Sequence, residues 1–394
     1  MDFMLDSKVY ERKKEKLLTR LEEKEMEAVC LFSPTFIFNL TGFAFLPTER
    51  PIAYLLDKES EKMVIPRLEK EHLESREQEL DEVITYPDYP GEKHPMKFVQ
   101  DMIEEKEYEK IAVDQDGYGS GYGYFGPSLS ELIDIEVEDI RLDLEKFFSV
   151  KEEEEIELMK ESAKWDNLGL KYLQEETEPG LSEIEASMRA SLKASQSIIR
   201  AFGPKYEQTG SGFPITVGYR GQVGEGSSLP HAIASNETIN EGDVLVNGAG
   251  VEIGGYSSEL ERTWIVGEPT EEQKKYFELA VKAQDIAFDV IEAGKKLSEV
   301  DRRVYKFYEE EDIEETWRHH TGHGLGTRLH EPPFLDVGED WELKENMVLS
   351  VEPGIYVKDY AGFRHSDTVV VKKNGVEILT YYPRSLEEST ISVK

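Results

Sequence analysis

Carboxylates in the second half of the chain have a spacing that could bind or transform a charged substrate. Glu259 and Glu261 stand two residues apart in the strand-like segment SSELERT, so both carboxylates lie on one face of the strand. Such pairs are most often a solvated edge, but the apolar neighbours Leu260 and Trp264 favour an inward-facing pair. Glu352 follows an apolar strand and precedes a Pro-Gly turn, a position typical of the lip of a cleft. Paired carboxylates can bind a cationic group.

Histidines are concentrated in the same half of the chain. Six of the eight histidines lie between residues 231 and 365. His323 is flanked by two glycines, so its backbone can approach a ligand closely, although a lone histidine is more often structural. His330 and Glu331 do not form an HExxH zinc motif, because two prolines follow them.

The predicted elements fall into two groups that would position these residues. Short apolar runs bounded by turns predict a small α/β unit in the first part of the chain. After Val150 the sequence pattern changes to that of a long charged helix. Beyond it, the similar segments LSEIE (181–185) and LSEVD (297–301) each follow a glycine that ends a helix. This repeat predicts two helix-helix-strand units joined into one curved sheet. Strands are expected over stretches that include 242–247, 250–256 and 260–266.

Length and charge exclude several classes of function. The chain of 394 residues has a formal charge of -36, and such a field repels nucleic acid and anionic lipid. It contains no apolar run long enough to span a membrane and no secretory signal at its start, so we expect a cytoplasmic protein. The single cysteine, Cys30, fits a reducing compartment. The acidic composition is typical of a halophilic protein, one that stays soluble at high salt.

The motifs resemble those of the pita-bread family, which includes methionine aminopeptidases, Xaa-Pro peptidases, creatinase and ectoine hydrolase. The resemblance covers residues 150–394 through PHA, GGYSSELERTW, HHTGHGLG, HEPP, SVEPGIY and GFRHSDTV, in the family's order. The segment NLTGF at 39–43 resembles the N-terminal domain of the prolidase and creatinase branch. The resemblance implies an α/β fold with a creatinase-like domain over residues 1–148 and a pita-bread catalytic domain over residues 149–394.

Peptidases of this family bind two divalent metals through two aspartates, one histidine and two glutamates. His323 and Glu352 match the histidine and the first glutamate, and Glu259 replaces the second aspartate.

The resemblance implies that the other two metal-ligand positions have lost their carboxylates. The first aspartate falls at Gly248 or, with one inserted residue, at Asn247, and the last glutamate falls at Ser366. Two bridged metals need several anionic oxygens, so no dinuclear centre is expected. A single Mn, Co or Zn ion on Glu259, His323 and Glu352 stays open.

What remains resembles creatinase, a member of the family that hydrolyses a C–N bond without a metal. His231 aligns with its catalytic histidine, Glu261 with a glutamate of its ERT motif and Glu352 with a substrate-binding glutamate. A neutral imidazole can take a proton from water and return one to the leaving nitrogen. The resemblance implies a metal-independent hydrolase that needs no cofactor. Its expected catalytic residues are His231, Glu261, Glu352 and His323.

The expected substrate is a dipeptide or a small amino-acid-like molecule. Creatinase-like proteins form dimers, so the resemblance also implies a homodimer in which Arg50 reaches the neighbouring subunit's cleft to bind a substrate carboxylate. An ordinary surface arginine is an equally good interpretation of Arg50. The full set of expected substrate contacts is Arg50, Tyr256, His330 and Arg364.

Two alternatives stay open. One is a metal-dependent Xaa-Pro dipeptidase or aminopeptidase whose metal site is rebuilt from Glu259, Glu261, His323, Glu352 and His365. The other is a catalytically inactive module that binds peptides or protein partners.

Overall fold

The chain forms two compact units. The computed structural model describes residues 4–76, 80–119, 121–210 and 212–393. One unit contains Met4–Phe148 and residues 209–210, and the other contains Ser149–Gln208 and residues 212–393. Among the described helices, none is both long and apolar enough to cross a lipid bilayer.

The N-terminal unit is a mixed sheet buried on both faces. Val29 and Leu31 enter one apolar cluster, and Ala28 and Cys30 enter a second, because successive side chains of a strand point to opposite faces. Its helices are α1 (Ser7–Glu23), α2 (Pro34–Thr41), α3 (Lys70–Glu74), α4 (Pro95–Glu104) and α5 (Arg141–Phe148). Its strands are β1 (Ala28–Leu31), β2 (Ala53–Asp57), β3 (Glu61–Pro66), β4 (Glu82–Tyr86), β5 (Lys110–Val113) and β6 (Glu136–Asp139), in the spatial order β4-β3-β2-β1-β5-β6.

The C-terminal unit consists of helix pairs and a largely antiparallel sheet. Its helices are α6 (Glu153–Glu176), α7 (Glu183–Phe202), α8 (Glu271–Val290) and α9 (Leu297–Glu310). Its strands are β7 (Ile215–Gly218), β8 (Val244–Ile253), β9 (Tyr256–Val266), β10 (Gly322–Gly324), β11 (Glu331–Leu335), β12 (Val348–Val351), β13 (Gly354–Val357), β14 (Ala361–Arg364), β15 (Ser366–Lys372), β16 (Gly375–Ile378) and β17 (Thr390–Ile391).

The strand order brings distant parts of the sequence together. The main path of the sheet is β11-β10-β12-β15-β9-β8-β7, with β16 beside β15 and β17 beside β9, while β13 and β14 form a separate hairpin. The pairs α6–α7 and α8–α9 pack together, and α6 covers β8 and β9. This arrangement is the expected α/β fold, with a creatinase-like domain followed by a curved pita-bread sheet.

Local signals explain the helix starts and one difference among the strands. Ser182 accepts a hydrogen bond from the backbone N–H of Glu185, and Thr270 forms a reciprocal capping box with Gln273. The sequence predicts two separate strands, 242–247 and 250–256, with a gap at Gly248, whereas β8 is continuous from Val244 to Ile253. Gly248 keeps its place in the ladder because it pairs with Glu261 on β9.

Candidate active site

The paired carboxylates lie on the long hairpin of β8 and β9. Glu259 and Glu261 share one face of β9, and the partner of Glu261 on β8 is Gly248. A Cβ atom at Gly248 would lie 3.2 Å from Oε1 of Glu261. The Glu261 carboxylate therefore fills the space that a side chain at position 248 would enter. On the other side of β9, β15 brings Ser366 opposite Glu261.

Two other strands bring a histidine and a third carboxylate to the same place. His323 lies in β10 opposite Ser350 of β12, and Glu352 directly follows β12. Nε2 of His323 lies 3.2 Å from Oε1 of Glu352 and 4.0 Å from Oε1 of Glu259. His323 is fully buried, and no group in the described part of the chain is aligned to hydrogen-bond with this nitrogen.

These side chains form a compact set of potential metal ligands. One carboxylate oxygen from each of Glu259, Glu261 and Glu352 lies within 4.8 Å of the others. Ligand atoms of Glu259, His323 and His330 meet the same distance. The rings of His323 and His330 are stacked, with centroids 3.8 Å apart. Four strands or their ends thus converge on one cluster of carboxylates and imidazoles.

The charges of the cluster shift each other's protonation. Burial, followed by repulsion from Glu352 and Glu261, raises the pKa of Glu259 to about 7. Burial alone would lower the pKa of His323, but the adjacent carboxylates outweigh it and raise the pKa to about 9. Burial opposes ionisation of Glu352, yet His323 and Arg364 hold the pKa of its carboxyl well below the ordinary value. The cluster therefore favours an ionised Glu352 beside a protonated His323.

Arg364 neutralises Glu261. Nη2 of Arg364 donates to Oε1 of Glu261 at 2.8 Å, and its Nε donates to the other carboxylate oxygen. Its Nη1 also donates to the Tyr356 hydroxyl at 2.9 Å. The guanidinium of Arg220 contacts the same Oε1 of Glu261 at 3.0 Å from the solvent side. Two arginines thus share one carboxylate.

Serine hydroxyls bind Glu259. The Ser350 hydroxyl donates to Oε1 of Glu259 at 2.9 Å, and Ser366 contacts the same oxygen at 3.2 Å. The two hydroxyls lie 2.7 Å apart, and both serines are fully buried. Ser366 therefore contributes a neutral hydroxyl at the place where the family resemblance puts a glutamate.

The opposite face of the hairpin carries two residues that the sequence links to the site. Asn247 pairs with Arg262, so its side chain shares the face of Arg262 rather than that of Glu261. Tyr256 is fully buried on this same face, and its hydroxyl donates to Oε1 of Glu155 in α6 at 2.6 Å. Neither side chain lies with the carboxylate cluster.

His231 lies on an exposed loop at the rim of the cluster. The carbonyl of the preceding Pro230 accepts a hydrogen bond from Nη1 of Arg364 at 3.4 Å. His330 is exposed beside it. Partial desolvation and then the charge of His323, which Glu352 partly opposes, lower the pKa of His330 to about 4. His231 and His330 are thus the solvent-facing imidazoles of this region.

The remaining expected residues lie elsewhere. His365 is fully buried with its ring edge-on to Phe277 of α8, at a centroid distance of 4.8 Å, and burial lowers its pKa well below the ordinary value. Arg50 belongs to the N-terminal unit, where its Nε donates to Asp88 at 2.7 Å and its Nη1 pairs with Glu49.

Several contributing residues were not found from the sequence. Arg220 lies 41 residues before Glu261, and Ser350, although only two residues before Glu352, lies 91 residues from Glu259, so the fold brings each to its carboxylate. Tyr356 and His319 also join the site, because Nε2 of His319 lies 2.9 Å from the Tyr356 hydroxyl. A usable signal was the segment YRG, in which an arginine precedes a glycine in a turn.

Comparisons with known proteins support the two-domain fold. Residues 157–373 match the model of metallopeptidase family M24, and residues 13–141 match that of the creatinase/prolidase N-terminal domain. An Xaa-Pro dipeptidase of Pyrococcus furiosus is 26% identical over 94% of this chain and 98% of the relative. An Xaa-Pro dipeptidase of Lactobacillus delbrueckii is 27% identical over 95% of this chain and 98% of the relative. The solved structure of an Xaa-Pro dipeptidase from Bacillus anthracis matches with a TM-score of 0.81 and 26% identity, over 98% of this chain and all of that one.

Proposed function

The chain belongs to metallopeptidase family M24, and on that premise we propose that it hydrolyses the C–N bond of a dipeptide of the Xaa-Pro type. The observation that carries the proposal is the convergence of three carboxylates and His323 within a few ångströms of one another. The likeness to Xaa-Pro dipeptidases along nearly the whole chain supports the substrate class. It favours a metal-dependent peptidase over the metal-independent enzyme that the resemblance to creatinase implies.

The residues present do not fit a pair of bridged metals. Gly248 and Ser366, at two of the five family ligand positions, supply no carboxylate, and Asn247 lies on the opposite face. Glu261 is not free to replace them, because Arg364 and Arg220 bind both of its oxygens. Two adjacent dications would therefore lack the anionic oxygens that offset their charge.

One divalent cation fits better. Nε2 of His323 is buried and lies 3.2 Å from Oε1 of Glu352 and 4.0 Å from Oε1 of Glu259, so a cation bound there would replace the proton that this nitrogen holds beside Glu352. These three residues, with His330 beside them, would hold Mn, Co or Zn. A cation there would supply Lewis acidity that polarises the amide carbonyl of the substrate.

The protein's own side chains have separate tasks in this proposal. Glu259 and Glu352 form the anionic wall, while the Arg364–Glu261 pair fixes the position of the neighbouring backbone and Tyr356. His231, exposed at the rim, can give a proton to the leaving nitrogen as the C–N bond breaks. His330 stacks on His323 and holds its ring in place.

The test is hydrolysis of a panel of Xaa-Pro dipeptides by protein reconstituted with one metal at a time. We expect cleavage that EDTA abolishes and that readdition of the metal restores. His323→Gln should abolish turnover, whereas His72→Gln in the N-terminal unit is the matched control. Cleavage that is unaffected by EDTA would contradict the proposed metal dependence.

A metal-free hydrolase is the second candidate, because Gly248 and Ser366 remove two metal ligands. In that mechanism His231 takes a proton from water and returns it to the leaving nitrogen. It predicts EDTA-resistant turnover that His231→Ala abolishes. Binding of dipeptides without any turnover, with or without metal, would instead identify a peptide-binding module.

We also propose a homodimer in which Arg50 serves the partner's cleft, an inference that comes from the resemblance to creatinase. Analytical ultracentrifugation tests the assembly. Arg50→Gln should raise KM in a dimer without changing the sedimentation of the protein, and an unchanged KM would contradict the role of Arg50.

A further inference from the structure

Asp301 is a fully buried carboxylate in helix α9, outside the set of proposed metal ligands. Its Oδ1 accepts hydrogen bonds from the backbone N–H of Thr321 at 2.9 Å and from the Thr321 hydroxyl at 2.6 Å. Its Oδ2 accepts one from the backbone N–H of Val337 at 3.1 Å. Because a buried carboxylate is stable only where such donors replace water, these three bonds tie the segment of Thr321 to α9.

Thr321 connects Asp301 to two of the proposed metal ligands. It is buried and stands two residues before His323, and its backbone carbonyl accepts a hydrogen bond from the N–H of Glu352 at 2.8 Å. Thr321 thus binds Asp301 through its N–H and hydroxyl, and Glu352 through its carbonyl. Asp301 therefore fixes the backbone from which both His323 and Glu352 extend into the cluster.

The bond to Val337 extends this anchor to the hairpin that carries His330. Strands β10 and β11 pair with Gly322 opposite Leu335. Thr321 directly precedes β10, and Val337 lies two residues beyond the end of β11. One carboxylate therefore joins the two chain segments at the open end of this hairpin, and the loop at its other end finishes in His330.

The two copies of the internal repeat differ at this position. Asp301 is the last residue of LSEVD, and its counterpart in LSEIE is Glu185, which is exposed and pairs with Arg189 of the same helix. A helix of this kind therefore forms with its acid at the surface. The inward acid belongs to the copy that precedes the strand of His323, so its burial serves that strand rather than the helix.

We propose that Asp301 is a positioning residue that, through Thr321, holds His323 and Glu352 at the separation that one divalent cation needs. The inference rests on the proposed function and adds to it the residue that prepares the site. Ligands that are held in place before the cation arrives lose less freedom on binding it, so their affinity is higher. Loss of the hydrogen bonds behind the ligands should therefore weaken metal binding while the ligands themselves stay the same.

The test measures the dissociation constants of Mn and Zn by competition with a chelator. Thr321→Val removes the hydroxyl at nearly constant shape and should raise the dissociation constant about 10-fold, whereas Thr321→Ser keeps the hydroxyl and should bind like the wild type. Asp301→Asn turns one acceptor into a donor and should weaken binding at least as much. Because both changes break the same contact, Thr321→Val should add little to Asp301→Asn.

The matched control is Thr41→Val in the N-terminal unit. It also removes a buried threonine hydroxyl, which donates to the carbonyl of Ile37 at 2.7 Å. This variant should leave the dissociation constants unchanged.

Wild-type affinity in both Thr321→Val and Asp301→Asn would overturn the positioning role. If the wild type binds no metal, the proposed function fails, and hydrogen exchange of the metal-free protein decides on Asp301. The Glu352 amide, which donates to Thr321, should then exchange about 10-fold faster in Thr321→Val than in the wild type. An unchanged rate would overturn the proposal, and so would a rise spread evenly over the C-terminal unit, which would show only a general loss of stability.

Discussion

The carboxylate of Glu261 is bound by two arginines, and this changes what it can do for a substrate. Arg364 neutralises it from inside the domain and Arg220 contacts it from the solvent side. An ion pair of this kind costs several kcal/mol if one partner is removed, because the other is left buried without a counter-charge. At the scale of single residues, Glu261 is thus best understood as the support for two guanidinium groups.

His319 gives a prediction about acid stability. Its Nδ1 lies 2.8 Å from the carbonyl of His320 and therefore carries the proton, so its Nε2 accepts from the Tyr356 hydroxyl. Burial, with a further contribution from Arg364 that Glu352 partly opposes, lowers the pKa of His319 to about 4. Because the folded pKa lies below the ordinary value of about 6.5, the unfolded chain takes up the proton first, and stability is lost as the pH falls from about 6.5 towards 4.

His319→Gln keeps a donor and an acceptor but cannot titrate. As the pH falls through this range, the free energy of unfolding of the variant should therefore decrease less steeply than that of the wild type. The difference between the two slopes should reach up to about 1.4 kcal/mol per pH unit. Urea unfolding followed by tryptophan fluorescence measures the free energy of unfolding at each pH. All four tryptophans lie between residues 165 and 341, in the same unit as His319, so the signal reports on the unit that contains this histidine. His72→Gln controls for the loss of a histidine elsewhere. Parallel pH profiles of His319→Gln and wild type would refute the assignment.

At the scale of elements, hairpin register and tight turns assemble the site. The spacing of Glu259 and Glu261 predicted their shared face, since strand side chains alternate, and the helix starts followed from capping residues. Tyr256 shows the limit of that reasoning. Its motif suggested a substrate contact, but Tyr256 lies on the face of β9 opposite to Glu259 and Glu261, so its side chain points towards α6. The partners Arg220 and Ser350 depended on which strands pair, and local sequence does not specify that choice.

Gly221 and Gly242 form a matched pair for testing the turn that carries Arg220. Both have a left-handed backbone, with φ of 81° and 92°. A Cβ atom at Gly221 would lie 2.3 Å from the carbonyl oxygen of Ile233, whereas at Gly242 it would lie more than 4 Å from every atom of the described residues outside its chain neighbours.

Alanine at Gly242 should cost only the backbone strain, about 1–2 kcal/mol. Alanine at Gly221 should cost more and should also raise KM, because the loops of Arg220 and His231 must separate. Urea unfolding and steady-state kinetics of the two variants test this. Equal stability and equal KM would rule out a rigid turn.

At the scale of the whole molecule, the dominant feature is charge. A formal charge of -36 produces self-repulsion that opposes the compact state, and salt screens it. The fold class itself was predictable, because motif order and the helix-helix-strand repeat extend over hundreds of residues. The balance of charges within the site could not be predicted from the sequence, because it depends on side chains from five segments of the chain.

Salt should stabilise this protein. Raising KCl from about 0.1 M to about 1 M shortens the Debye length from about 10 Å to about 3 Å, and we expect Tm to rise by several degrees. Differential scanning calorimetry measures the change. Sucrose at the same osmolality, which does not screen charge, is the control for solute exclusion. A Tm that stays constant or falls with KCl would argue against adaptation to high salt.

The most direct test of the account is the number of metal ions that one chain holds. Protein reconstituted with Mn, Co or Zn and freed of loosely bound ions by gel filtration is analysed by mass spectrometry of its metal content. A site built from Glu259, His323 and Glu352, with Glu261 occupied by Arg364 and Arg220, predicts one ion per chain. Two ions per chain would contradict the exclusion of a bridged centre, and none would contradict the proposed metal dependence.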